Sequence, residues 1–513
     1  MRFNRFSALW VFLPTVMLLS GCQQRKDDAN LPESPPRKVV DIARIKPRVT
    51  EFCGDCHAVP RPETFPKEAW RREVERGFNF YSESGRHDLA VPPKGEVVGF
   101  YETLAPERLV VNPPQGETEG GDRAIRFRRS STDSPELEPP AVSFVDWLSL
   151  PNHDHQRHLF CDMRSGLVGV AIVTPQSSSV ESLTILKNPS RIALCDLDGD
   201  GLNEIVISEL GSFTSEDHRR GAIVWLQWDR AQSTWRQRLL VSGLGRIADV
   251  RCGDLDGDGD TDLVVAEFGH LRTGRVLVYE NLGIERDMPK LQEHVVDKRH
   301  GTIHVPVADL NGDGRLDFVA LISQEHEVIE AYLNCGDFTF ERKTIFAAGD
   351  PAYGSSGIEL VDLDGDGDLD VLYTNGDTFG SDFLKPYHGI SWLENQGGFP
   401  FTEHRLAEMV GVQRAVAADL DSDNDLDIVA IGFLPQNLVA APELANHDSL
   451  VWLEQKQHGR FVRHSLERAK FLHAALAVGD FDQDDDIDLA VGNFQDLEGP
   501  REPSLTIWWN ASK

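Results

Sequence analysis

A mainly β fold, a β-propeller of about seven blades preceded by a small all-α unit, is what the sequence predicts, and three observations carry it. An acidic nine-residue pattern recurs six times, with successive starts 53 to 61 residues apart. Short apolar runs rich in β-branched residues bracket each copy. Ahead of the first copies the chain changes character, with helical spacing in place of strand-like runs. Units of regular period that cannot bury their own faces must stack on one another, and β-rich units stack as propellers or solenoids.

The unit can be read strand by strand. One apolar run enters the acidic loop and a second leaves it (EIVISE, DLVVAEF, DFVALI, DVLYTN, DIVAIG, DLAVGN). A third often carries tryptophan (AIVWLQW, GISWLEN, SLVWLEQ, LTIWW), and a fourth ends the unit. Four short strands make a propeller blade. A degenerate seventh unit precedes the six, with Leu159–Met163 entering its turn and Leu167–Ile172 leaving it. The last unit stops after its third strand at Trp509, so Ala141–Trp147 is expected to supply the missing fourth strand and close the ring. Seven blades over 141–513 are favoured over six or eight.

The six loops place Asp or Asn at positions 1, 3 and 5, an acid at position 9, and usually Gly at 4 and 6. The ligand candidates are Asp196, Asp198, Asp200 and Glu204, then Asp254, Asp256, Asp258 and Asp262. Asp309, Asn311, Asp313 and Asp317 follow, then Asp362, Asp364, Asp366 and Asp370. The last two sets are Asp419, Asp421, Asp423 and Asp427, and Asp480, Asp482, Asp484 and Asp488. Calcium takes six to eight oxygens at flexible distances, which alternate carboxylates on a tight turn and a backbone carbonyl at position 7 can supply. Glycine permits the positive φ of such a turn. About four to six structural calcium ions are therefore expected. An EF-hand is excluded, because Glu at position 12 and the flanking helices are missing. The pattern resembles the FG-GAP/VCBS repeat family, the calcium-loop propellers that include the integrin head, over roughly residues 141–510. In the last two loops Ser422, Asn424, Gln483 and Asp485 stand where that family has glycine, which puts those two sites in doubt.

The N-terminus carries a basic start, an apolar stretch from Phe6 to Leu19 and small residues before Cys22, the pattern of an export signal. Leu19-Ser-Gly-Cys22 resembles the lipobox of bacterial lipoproteins, which implies that Cys22 is lipidated and that residues 1–22 are a signal peptide. Gln23 after it favours the outer membrane, on its periplasmic side or surface. Residues 23–41 then read as a flexible polar tether, 42–110 as a compact helical unit and 111–140 as a Pro/Gly-rich linker.

Within the helical unit, Cys53-Gly-Asp-Cys56-His57 is Cys-x-x-Cys-His, the attachment signature of c-type haem. A redox dithiol would need a βαβ context, and a zinc site a second Cys/His pair nearby. The segment resembles a small cytochrome c domain. That family's usual distal Met is absent, since no Met lies between Met17 and Met163, and His87 is the candidate for the distal position. An open five-coordinate iron or a ligand from the propeller are the alternatives. A bis-His site would lower the potential relative to His/Met.

Charge narrows the partners. The chain holds 83 acidic against 51 basic residues, a net charge of −32, which repels phosphate backbones and excludes nucleic acid. Around the mouth of the channel, His158, Arg191, Arg246, His304, Arg414 and His473 are read as strand-one entrances. They form a candidate face for an anionic or carbohydrate ligand, or pair with acids such as Glu359 and fill the channel. His153 and His155, with His158, offer too few ligands for a metal. A Cys161–Cys195 disulfide is conceivable, although buried thiols fit better. The functional expectation is an exported, lipid-anchored carrier with one haem, passing electrons to an unknown redox partner while the propeller supplies a docking surface. No hydrolase constellation is present. The rivals are an oxidoreductase whose propeller oxidises a sugar or alcohol, and an adhesion propeller with accessory haem.

Overall fold

A computed structural model describes residues 40–113, 125–132, 138–150, 157–378, 381, 383–439, 441–457, 459–495 and 499–511. The signal segment with Cys22, most of the tether, and His153 with His155 lie outside the described residues. Within Asp41–Lys513, three helices, α1 (Ile42–Cys53), α2 (Trp70–Glu83) and α3 (Lys94–Leu104), precede seven antiparallel sheets. The sheets are the blades of a propeller. Their innermost strands touch one another in sequence around the ring, and the last (His473–Gly479) touches the first (Val142–Leu148).

Blades 1 to 6 each run outward from the channel in chain order. Blade 3, for example, consists of Ile247–Gly253, Asp262–Glu267, Arg275–Glu285 and Met288–Asp297. In blade 4 the inner strand is broken into Thr302–His304 and Val307–Ala308, with Pro306 between them. The second strands of blades 2 to 7 are almost wholly buried, as expected of strands packed on both faces. Apolar clusters fill all seven blade-to-blade junctions. No blade therefore has a core of its own, and stability depends on closing the ring.

Closure differs from the expectation in one respect. The fourth strand of blade 7 is Phe127–Thr132, paired with Leu505–Asn510 and tied by the Trp509 indole donating to Ser130 Oγ at 2.7 Å. It comes from the stretch expected to be linker. The strand at Val142–Leu148 is instead the innermost strand of blade 1. Blade 1 is thereby read one strand too late in the sequence. Arg157–Asp162 is its second strand, so Asp162 ends a strand rather than opening a loop. Without an acidic repeat in blade 1, nothing local marked its phase.

The same shift corrects the thiols. Cys195 and Cys252 both lie at the ends of inner strands, in adjacent blades, and form the disulfide, with Cα atoms 6.2 Å apart. Cys161 sits one strand further out and stays a buried free thiol. The bridge spans 57 residues. A loop of that size is worth about 2–4 kcal/mol through the unfolded state. Cys195→Ala with Cys252→Ala should lower the urea-unfolding free energy by about that amount, and a reductant should lower wild type equally while leaving the double variant unchanged.

Candidate functional site

The Cys-x-x-Cys-His segment begins at the end of α1. Asp41 caps that helix, its carboxylate accepting from Arg44 N at 3.2 Å, and Gly54 ends it. A Cβ on Gly54 would come within 2.5 Å of Thr50 O and 2.8 Å of Val59, so glycine is required between the two cysteines. Behind the motif, Trp70 of α2 stacks on Tyr101 of α3 with centroids 3.9 Å apart, and Phe52 packs on Phe78 and Tyr81. Cys53 is half-buried and Cys56 exposed, and both are free. Burial pushes the Cys53 thiol up to about 11 and raises Cys56 as well. A reactive dithiol has the opposite setting, a low pKa favoured by a helix N-terminus. The Tyr101 hydroxyl is buried with no partner in hydrogen-bond geometry, yet close enough to Cys53 for the two groups to perturb each other's titration. His57 Nδ1 lies 2.7 Å from Ala58 O. A carbonyl only accepts, so Nδ1 carries the proton and Nε2 keeps a free lone pair. His87 is exposed, next to Arg86, whose guanidinium pairs with Asp55 and Asp88 and lies 3.2 Å from Cys56 Sγ.

This helical unit sits on the end of the propeller that carries the second-to-third strand connections, here called the loop face. Arg61 donates to Ala348 O at 2.8 Å, and the Thr64 hydroxyl donates to Asp350, both acceptors lying between blades 4 and 5. Lys385 of blade 5 is buried, donates to Ala352 O at 2.8 Å, and places its ammonium 6.0 Å from the Phe65 ring. Arg272 of blade 3 pairs with Glu83 at 3.5 Å. His388 is buried deeper in blade 5, with neither ring nitrogen partnered, and lines a cavity of about 90 Å3. Burial holds it neutral.

The opposite end carries the acidic loops. The position-1 aspartate of each accepts from amides further round its own turn, as Asp362 does from Gly365, Asp366 and Gly367 at 2.7–3.1 Å. Carboxylate oxygens converge within 4.8 Å in the sets Asp196/Asp198/Asp200/Glu204, Asp254/Asp256/Asp262, Asp362/Asp364/Asp370 and Asp419/Asp421/Asp423. In the loop from Asp309, Asn311 Nδ2 donates to Asp313 Oδ2 at 3.2 Å and Arg315 pairs with the same carboxylate. The fifth and sixth loops keep the shared backbone despite losing their glycines. Ser422, Asn424, Gln483 and Asp485 all take φ of +63° to +74°, the conformation glycine holds in the other four. The FG-GAP-like repeat family matches residues 196–265 and 309–373. Over those residues the propeller carries FG-GAP-like repeats. No curated protein matches the chain.

The position-9 acid of each acidic loop has a second duty that loop spacing alone did not reveal. In five loops one of its oxygens accepts from the amide at position 2 and the other from an amide within the third strand or at its end. For Asp488 these are Phe481 N at 3.0 Å and Asn510 N at 2.7 Å; for Asp317, Leu310 N at 3.0 Å and Asn334 N at 2.7 Å. Asp262, Asp370 and Asp427 repeat the arrangement, and Glu204 makes the position-2 bond. Three of the third-strand asparagines also donate across the junction to the previous blade's loop: Asn281 to Leu197 O, Asn334 to Leu255 O and Asn510 to Leu420 O. The signal in sequence was the recurrent Asn or Gln closing the tryptophan-type strand.

The candidate ligand face divides. Arg191, His304 and Arg414 do converge on the inner strands, but together with acids. Fully buried Asp249 lies 3.0 Å from Arg191 Nε, 3.1 Å from Arg251 Nε and 3.6 Å from His304 Nδ1. Glu359, beside Arg414, accepts from Ala417 N at 2.9 Å. Burial lowers His304 to about 4, leaving it neutral at pH 7. Arg246 stands apart over Phe268 and donates to Ser215 Oγ, and His473 bonds Asn493 and Glu467. His158 is not a strand-one residue. It lies in the second strand of blade 1, fully buried between Trp147 and Phe481 and pushed down to about 3.

In chelator, Asp488→Ala should cost about 3 kcal/mol in urea unfolding by orphaning two buried amides, whereas Asp484→Ala, exposed in the same loop, should cost under about 1 kcal/mol. A pH dependence follows as well. Burial, then neighbouring carboxylates, raise Glu204 to about 8, Asp262, Asp427 and Asp488 to about 7, and Asp370 to about 6. Unfolded carboxyls titrate near about 4. The metal-free folded state thus holds more protons than the unfolded one between these values, and stability falls as pH rises through the window. In chelator, the melting temperature should drop from pH 5 to pH 8.

Proposed function

We propose that this protein is an envelope-anchored haem carrier, with one haem c on the helical unit and a calcium-stiffened FG-GAP propeller as docking surface for a redox partner. The observation that carries the reading is the motif at the end of α1: two free, protonated thiols, and an imidazole whose Nε2 is kept as a lone pair by the Nδ1–Ala58 bond. Cys53 and Cys56 would hold the porphyrin as thioethers and His57 would be the proximal ligand, with His87 the candidate for the distal side. The bound haem supplies a one-electron couple. Gly54 lets the chain turn tightly between the thiols, Ala58 fixes the tautomer of His57, and the unpartnered Tyr101 hydroxyl offers a polar group beside Cys53. Arg61, Thr64 and Asp350 hold this unit against the loop face, so a partner meets motif and propeller as one surface.

Calcium in the FG-GAP loops is part of the same proposal. Its support is the convergence of carboxylates within 4.8 Å, which without a cation repel strongly, and the left-handed backbone retained even by Ser422 and Gln483. Anchorage through lipidated Cys22 would hold the carrier at the outer membrane.

The test is the visible spectrum of the full chain produced with haem-attachment machinery, before and after dithionite. A sharpened α-band on reduction, retained after acid–acetone extraction and absent from Cys53→Ala/Cys56→Ala, is expected. A featureless spectrum in wild type would remove the electron-transfer reading and leave a binding propeller.

A further inference from the structure

A third cluster of potential ligands lies on the loop face, away from both the haem motif and the acidic loops. His300 precedes the inner strand of blade 4, and Glu325 with His326 lies on that blade's second-to-third strand connection. One ligand atom from each of the three falls within 4.8 Å of the others. His300 Nε2 is 3.0 Å from Glu325 Oε2, and the two imidazole rings are 5.4 Å apart. All three side chains are half-buried, so they remain open to an ion from solvent.

The backbone around them is built for this approach. Gly301 takes φ +90°, and a Cβ there would meet Ser323 O at 2.9 Å, so the glycine lets the His300 segment close on the Glu325 loop. Ser323 seals the contact, its amide and hydroxyl both donating to Gly301 O at 2.9 Å. Gln324 and Glu327, on either side of the ligand pair, hold φ of +59° and +45°, a left-handed conformation that is unfavourable for a residue with a side chain. Glu327 is anchored in turn, its buried carboxylate accepting from Gly354 N and Ser355 N. The loop presenting Glu325 and His326 is therefore strained locally and fixed from beneath. Nearby cations are engaged elsewhere: Arg299 pairs with Asp297 and Glu330.

Two imidazoles and one carboxylate suit a divalent transition ion far better than calcium, which prefers oxygen alone. Ligand atoms around tetrahedral zinc stand about 3.3 Å apart, and here one pair already lies at 3.0 Å with the third atom within 4.8 Å. We infer that His300, Glu325 and His326 form a site for one divalent transition ion of the zinc class, with the remaining coordination positions left to water or an external ligand. Three protein ligands with an open position is the pattern of catalytic rather than structural zinc.

The test uses untagged full-length protein with calcium saturating, titrated with Zn2+ by calorimetry and with Co2+ by absorption. Wild type should bind one Zn2+ per chain more than His326→Ala does, and Glu325→Gln should weaken that site by at least about 10-fold. Co2+ bound there should show d–d bands without a thiolate charge-transfer band, which separates it from ions on Cys53 and Cys56. Circular dichroism of each variant checks folding, and Glu325→Gln, nearly isosteric, carries the test should His326→Ala misfold. Zinc stoichiometry and affinity equal in wild type and both variants would overturn the site, as would a cobalt spectrum that depends only on the cysteines.

Discussion

The carboxylate at position 9 of each acidic loop is the interaction on which the propeller rests. It is buried at the start of a blade's second strand, where an ion would be costly to leave unpaired. In five of the six loops backbone amides from two directions meet it, one from its own loop and one from the third strand. The same third-strand residue reaches, in three junctions, the loop carbonyl of the neighbouring blade. Loop, blade and junction are thereby coupled through one side chain. The position-2 residue that supplies the amide, leucine or phenylalanine, is itself packed between blades. A change in loop geometry is therefore transmitted directly into the apolar junctions.

The two ends of the barrel of blades do different work. At one end the loops are acidic, repeated and nearly interchangeable. At the other, connections vary in length and sequence, and the helical unit, the His/Glu cluster and the buried Lys385 and His388 all gather there. Variation is tolerated where connections merely link strands, so individual chemistry accumulates at that end.

Between the ends, the basic residues of the inner strands face acids. Arg191, Arg251 and His304 surround Asp249, and Arg414 faces Glu359. Buried charges of this kind need partners of opposite sign more than they need a ligand. A ring of basic residues in sequence reads as a binding mouth only until the acids from neighbouring inner strands, Asp249 and Asp146 among them, are brought to the same axis.

By itself the sequence determined the repeat, its period, the strand count per blade and the conformation of the acidic loops, because each of these is set within ten or so neighbouring residues. Cys53, Cys56 and His57 were legible for the same reason: the motif is contiguous. Only the tertiary structure decided which strand closes the ring, since Phe127–Thr132 carries no loop to mark it and is chosen by pairing with Leu505–Asn510. It also decided the Cys195–Cys252 bond, the phase of blade 1 and the meeting of His300 with Glu325 and His326. Those contacts join residues from different blades or connections. Their distance depends on how seven sheets pack around an axis, which no local pattern encodes.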